Sequence, residues 1–137
     1  LVDVIDYVGG NAGKLWNALN SEGPLVEGKL MKKTGLKSND FYTAVGWLAR
    51  ENKIRKDDAT YMLGETNLTD SIGRDAGKVW RVLDTWGEVD LTSISRLARI
   101  DEKDVFSAIG WLAREGKISG REIGGRYKKI KFRLNDD

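Results

Sequence analysis

The residues of this chain best suited to chemistry are cations. Between Arg121 and Arg133 stand Arg121, Arg126, Lys128, Lys129, Lys131 and Arg133 against the single acid Glu122. A cluster of this kind suits a phosphate backbone, because each phosphate that is neutralised releases bound counterions. Ile130, Phe132 and Leu134 alternate with Lys129, Lys131 and Arg133, which is the period of a half-buried strand with a basic outer face. Lysines on such a strand also serve simply to keep an edge solvated and unpaired. Asn39, Arg50, Lys103 and Arg114 form a further candidate set, on two helices, for contacts to nucleic acid. A third group has a different character: Tyr42, Gly46 and Trp47, with Phe106, Gly110 and Trp111. Glycine inside a helix costs about 1 kcal/mol relative to alanine, so a glycine beside aromatic residues marks a place where another backbone or ring comes close. This group is therefore read as a protein interface, between two parts of the chain or between two chains.

Other chemistry is poorly supplied. The chain has no cysteine and no histidine, so disulfides and the ligands usual in zinc, copper and non-haem iron sites are excluded, and only carboxylates could hold a hard cation. No cofactor is expected. The commonest general base is missing, and no nucleophile has a basic partner at a suggestive spacing, so the sequence does not read as an enzyme. Gly9-Gly10 and Gly124-Gly125 are read as turns, since the Lys-Ser/Thr of a phosphate-binding loop does not follow them. The net charge of +2 is too small to imply a polyanion partner by itself. At 40% apolar and 32% charged residues, with no apolar run of membrane-spanning length, a soluble protein is expected. No signal-like opening is present, so the expected location is the cytoplasm.

The helices and strands expected to carry these residues come in two copies. Ala12-Gly13-Lys14-Leu15-Trp16 returns as Ala76-Gly77-Lys78-Val79-Trp80, an offset of 64, and the same offset carries GWLARE from Gly46–Glu51 to Gly110–Glu115. An ungapped match of two tryptophan-containing motifs at one spacing indicates duplication. The expected units are 1–66 and 67–137, with the polar residues Gly64 to Asp70 as a linker.

Each copy reads alike. Ala12, Leu15, Trp16 and Leu19 make one apolar helix face, with Asn11 and Asp75 available as N-caps and Gly23 and Gly87 as stops. Trp16 and Trp80 are expected in the core, and Trp86 on the surface. Short extended pieces follow at Leu25-Val26 and Val89-Asp90, then a second helix and a tight turn. A third helix has Phe41, Ala44, Val45 and Leu48, or Val105, Ala108, Ile109 and Leu112, facing inward. Its other face is expected to carry Asn39, Tyr42, Thr43, Gly46 and Arg50, with Lys103, Phe106, Ser107, Gly110 and Arg114 in the second copy. Hairpins close both copies, one turning at Asp57-Asp58 and the other at Gly124-Gly125. The expected fold is mainly α (α+β): two tandem winged helix-turn-helix domains, each with three helices and a two-stranded wing.

The AGKVW-like first helix and GWLARE-like third helix resemble those of the small winged helix-turn-helix domains of unknown function found in bacteria and archaea. The resemblance covers about Val8 to Leu63 and Ile72 to Leu134, and it implies a fold of DNA-binding type without an activity to carry over. Two functions remain open. One is nucleic-acid binding, to duplex DNA, as a regulator or chromatin-associated factor. The other is a protein-interaction adaptor built from paired winged helices, with the two repeats pairing or a homodimer forming.

Overall fold

The computed structural model describes residues 3–122 and 130–136. The first repeat runs α1 (Val4–Glu22), β1 (Leu25–Val26), α2 (Glu27–Thr34), α3 (Ser38–Arg50), β2 (Ile54–Asp57) and β3 (Thr60–Leu63). A π-helical turn, Thr69–Gly73, leads into the second: α4 (Arg74–Trp86), β4 (Val89–Asp90), α5 (Leu91–Ala98), α6 (Glu102–Arg114), β5 (Ile118–Glu122) and β6 (Ile130–Leu134). The short extended pieces join the wings, so each sheet has three antiparallel strands, ordered β1-β3-β2 and β4-β6-β5. The expected two-stranded wing thus gains a strand, because Leu25 and Val89 pair with Tyr61 and Phe132. The first hairpin turns at Asp58-Ala59, one residue later than the sequence suggested, with Asp58 at positive φ.

Backbone demands repeat along with the fold, but the residues that meet them differ. Left-handed positions occur at Gly35 and its counterpart Arg99, and at Asn52 and its counterpart Gly116. Glycine adopts this conformation freely, and asparagine more readily than most residues. Arginine at position 99 therefore carries strain that Gly35 avoids.

The first helix is longer than its cap signals implied. Asp3 caps α1, its side chain accepting from the Asp6 amide at 3.2 Å. Asn11 consequently lies mid-helix and buried, its Nδ2 without a hydrogen-bond partner among the described residues. Asp75 lies inside α4, downstream of the π-helical turn, so neither residue is a cap. Gly9 and Gly10 belong to α1 as well and form no turn. An added Cβ at Gly9 would sit 3.1 Å from the Trp47 ring. Local polarity suggested a start at Asn11; the apolar residues Val4 and Val8 carry the helix back past it, because both find a core to enter.

That core is the other repeat's. Val4 and Val8 pack with Val79, Ile94, Val105, Ile109 and Phe132 of the second repeat. Their counterparts at the same offset, Leu68 and Ile72, pack with Leu15, Leu30, Phe41 and Ile54 of the first. The exchange is reciprocal. Gly120 makes room for it, since a Cβ there would meet Val4 Cγ2 at 2.4 Å. The segment between the repeats is also fastened: Asn67 accepts from the Lys56 amide at 3.0 Å and donates to the Lys56 carbonyl at 2.7 Å, and the Thr66 amide donates to Asn52 Oδ1 at 2.8 Å.

Tryptophan placement departs from expectation. Leu15 and Val79 hold the fully buried position on α1 and α4, leaving Trp16 half-buried and Trp80 38% exposed. Trp86, expected outside, is 63% exposed.

Candidate nucleic-acid interface

In a helix-turn-helix protein the third helix ordinarily meets the major groove. Here α3 and α6 meet each other. A Cβ placed on Gly46 would lie 1.8 Å from the Ser107 carbonyl oxygen, and one on Gly110 would lie 1.9 Å from that of Thr43. Since Thr43 and Ser107 are matching positions, as are Gly46 and Gly110, the contact is twofold in character. Thr43, Gly46, Ser107 and Gly110, placed on the outward face by the sequence, are buried between the repeats.

The ends of the two helices are joined in the same symmetric manner. Arg50 donates through Nε to Glu115 at 3.1 Å, while Arg114 donates through Nε to Glu51 at 3.0 Å. Each guanidinium also stands over the opposite tryptophan, Arg50 at 5.7 Å from the Trp111 ring and Arg114 at 5.9 Å from that of Trp47. Trp47 and Trp111 are half-buried and touch both cores. These two arginines are thus held by the opposite repeat. Tyr42 is half-buried and donates to Glu27 at 3.1 Å; burial, then this carboxylate, pushes its phenol above the ordinary value. Phe106 is half-buried. Asn39 and Lys103 are exposed in the first turns of their helices. Lys103 stands among Asp101, Glu102 and Asp104, whose charge opposes an approaching phosphate.

The second wing presents Lys131 and Arg133 on β6, the former half-buried and the latter exposed. Asp90, Lys131 and Arg121 lie in one row across the sheet. Directly opposed cations repel, and acids moderate this pair. Arg121 donates to Glu88 through Nε at 3.1 Å, and its hydrogen bond holds the Glu88 carboxyl below the usual range, with Lys131 and Arg133 adding to the effect. Asp90 caps α5 through the Ser93 amide at 2.8 Å, which lowers its carboxyl too. Arg126, Lys128 and Lys129 lie outside the described residues. In the first wing Arg55 pairs with Asp57 at 3.1 Å, and Lys56 stands over the Tyr61 ring at 5.2 Å.

The candidates therefore fall into separate places: Arg50 and Arg114 at the junction of the repeats, Asn39 and Lys103 at the starts of α3 and α6, and Arg121, Lys131 and Arg133 on the second wing. The cations of α2 and the following turn, Lys29, Lys32, Lys33 and Lys37, escaped the sequence reading and are all exposed. Their signal is the spacing Lys-x-x-Lys-Lys, which puts three ammonium groups on one helix face. Among the described residues no cluster of carboxylates is placed to hold a metal ion, and no helix is long and apolar enough to cross a membrane.

Three helices per repeat, each set closed by a small antiparallel sheet, define a tandem winged helix-turn-helix protein. The chain belongs to the winged helix-turn-helix domain family DUF2582, which matches residues 4–63 and again residues 66–129. No curated protein and no solved structure matches the chain.

Proposed function

We propose that this protein is a non-catalytic nucleic-acid-binding module that grips the phosphate backbone through peripheral cations and does not read bases with its third helices. The observation that carries this is the glycine crossing of α3 and α6, which takes up the surfaces a helix-turn-helix uses for base contacts. On the second wing Lys131 and Arg133 make no ion pair among the described residues, and the sequence adds Arg126, Lys128 and Lys129 beside them. Glu88 and Asp90 temper that surface, so the expected grip is modest, salt-dependent and indifferent to sequence. Association with random-sequence duplex DNA, followed by fluorescence anisotropy over a salt series, tests it. Binding should weaken steeply with salt and fall several-fold when Lys131→Ala and Arg133→Ala are combined; absence of binding at low salt would overturn it.

A protein-interaction scaffold is the second reading, favoured by the exposure of Trp86 and of Leu97 at 38% on the second repeat. Aromatic anchors of this kind are common at interfaces. If DNA binding is absent at low salt, this reading takes its place.

A further inference from the structure

We infer that the lysine face of the first repeat, formed by Lys29 and Lys32 on α2 and Lys37 at the start of α3, is a second phosphate-backbone contact, acting alongside the wing of the other repeat. The inference rests on the nucleic-acid reading above and assigns it a surface apart from the α3–α6 crossing and from the wing.

Helix α2 buries Leu30 completely and Met31 partly, which turns Lys29, Lys32 and Lys33 outward together. Lys33 is held by Glu22 at 2.8 Å. Lys29, Lys32 and Lys37 make no ion pair among the described residues.

The fold does not require a cation at positions 29, 33 and 37, and the second repeat keeps one only opposite Lys32, as Arg96. At the matching positions of the second repeat stand Ser93, Arg96, Leu97 and Asp101, and α5 spans the same eight residues as α2. Helix electrostatics account for only some of them. Lys32 and Lys33 occupy the last turn of α2, where a cation meets the negative end of the helix. Lys29 lies near the start of α2, and Lys37 holds the N-cap position of α3, where the same field disfavours positive charge. Two exposed cations are thus kept where the local field opposes them, and an external polyanion would offset that cost.

The chemistry favours nucleic acid over a lipid surface. A membrane-binding helix inserts a free apolar face beneath its lysines, whereas the Leu30 side of α2 is committed to the protein core. Three separate, exposed ammonium groups along a helix and the turn that follows it suit a succession of backbone phosphates.

The test uses the full chain and random-sequence duplex DNA over a salt series. Four proteins are compared: the unaltered chain; the combination Lys29→Ala, Lys32→Ala and Lys37→Ala; the wing pair Lys131→Ala and Arg133→Ala; and a control of equal charge loss, Lys14→Ala, Arg74→Ala and Lys78→Ala. The α2 combination should reduce the slope of log affinity against log salt by roughly two to three, since each phosphate contact contributes about 0.9. The control should change it by less than about one. All the substituted side chains are exposed except the half-buried Lys131, and matching thermal melts confirm that folding is retained. A slope for the α2 combination equal to the control's, while the wing pair still weakens binding, overturns this inference and leaves the nucleic-acid reading standing. No duplex binding by the unaltered chain overturns both. Retained duplex binding together with lost binding to phosphatidylserine vesicles in the α2 combination reassigns the face to lipid and also overturns the inference.

Discussion

The stretch Glu27–Asp40 and its counterpart Leu91–Asp104 fold to the same helix, turn and helix, yet the first is net basic and the second is balanced in charge. The first sets Lys29, Lys32, Lys33 and Lys37 around the turn; the second sets Asp101, Glu102 and Asp104 there, balanced by Arg96, Arg99 and Lys103. The wings reverse the order. In the first, Arg55 and Lys56 are answered by Asp57 and the Tyr61 ring, while the second carries the basic strand. After duplication, positions facing inward stayed apolar because the cores and the crossing need them: Leu30 and Ile94, Phe41 and Val105, Gly46 and Gly110. Many surface positions carried no such demand and diverged, so the two repeats share an architecture but only part of a surface, such as Lys14 and Lys78 or Lys53 and Lys117.

The strongest challenge to this twofold arrangement is at its axis. Gly46→Val or Gly110→Val places side-chain atoms against a carbonyl oxygen of the opposite helix, where even a Cβ has no room. Each should destabilise the protein by roughly 3 kcal/mol or more, the upper end of overpacking costs, in urea denaturation. Because the contact is reciprocal, the two losses should be similar; a neutral result at either glycine would show that the helices do not cross there.

The exchanged segments couple the two repeats through their cores. Ile72→Ala removes a side chain of the second repeat from the core of the first, and Val8→Ala does the reverse. Losses of about 2–4 kcal/mol for Ile72→Ala and somewhat less for Val8→Ala are expected. Tryptophan fluorescence and far-ultraviolet circular dichroism should report one coincident transition in both variants. Two separated transitions would show repeats that fold independently of the exchange.

A smaller effect concerns the pair Asn11 and Asp75. Burial and the neighbouring Asp104 raise the Asp75 carboxyl above its ordinary value. A raised acid favours the fold while protonated, and that advantage is lost as pH climbs through the folded-state value. Asp75→Asn, which copies the first repeat, should therefore leave stability unchanged in strong acid and raise it above the carboxylate range. Solvent screening limits the gain to roughly a few tenths of a kcal/mol, read as the difference between the two proteins' melting curves across pH. A gain that persists in acid would assign the effect to packing.

The repeat offset, most of each apolar helix face and the glycine stops at Gly23 and Gly87 were legible in the chain, because helix and strand periods are local and the duplication displayed each of them twice. They were enough to define the family and the winged helix-turn-helix architecture. Glycine within GWLARE also marked a close approach by its cost in a helix. Sequence could not tell what approaches, and it misplaced the start of the first helix at Asn11, since a polar residue at the edge of an apolar stripe looks the same whether it caps a helix or is buried inside one. The destination of Val4, Val8, Leu68 and Ile72 was equally hidden, because an apolar residue carries no address specifying which of two similar cores it enters. Only the tertiary structure brought α3 against α6, tied Arg50 and Arg114 to the opposite repeat and left the lysines of α2 facing outward. Contacts between residues about 64 positions apart depend on how the surfaces fit together, and periodicity along a single chain does not encode that fit.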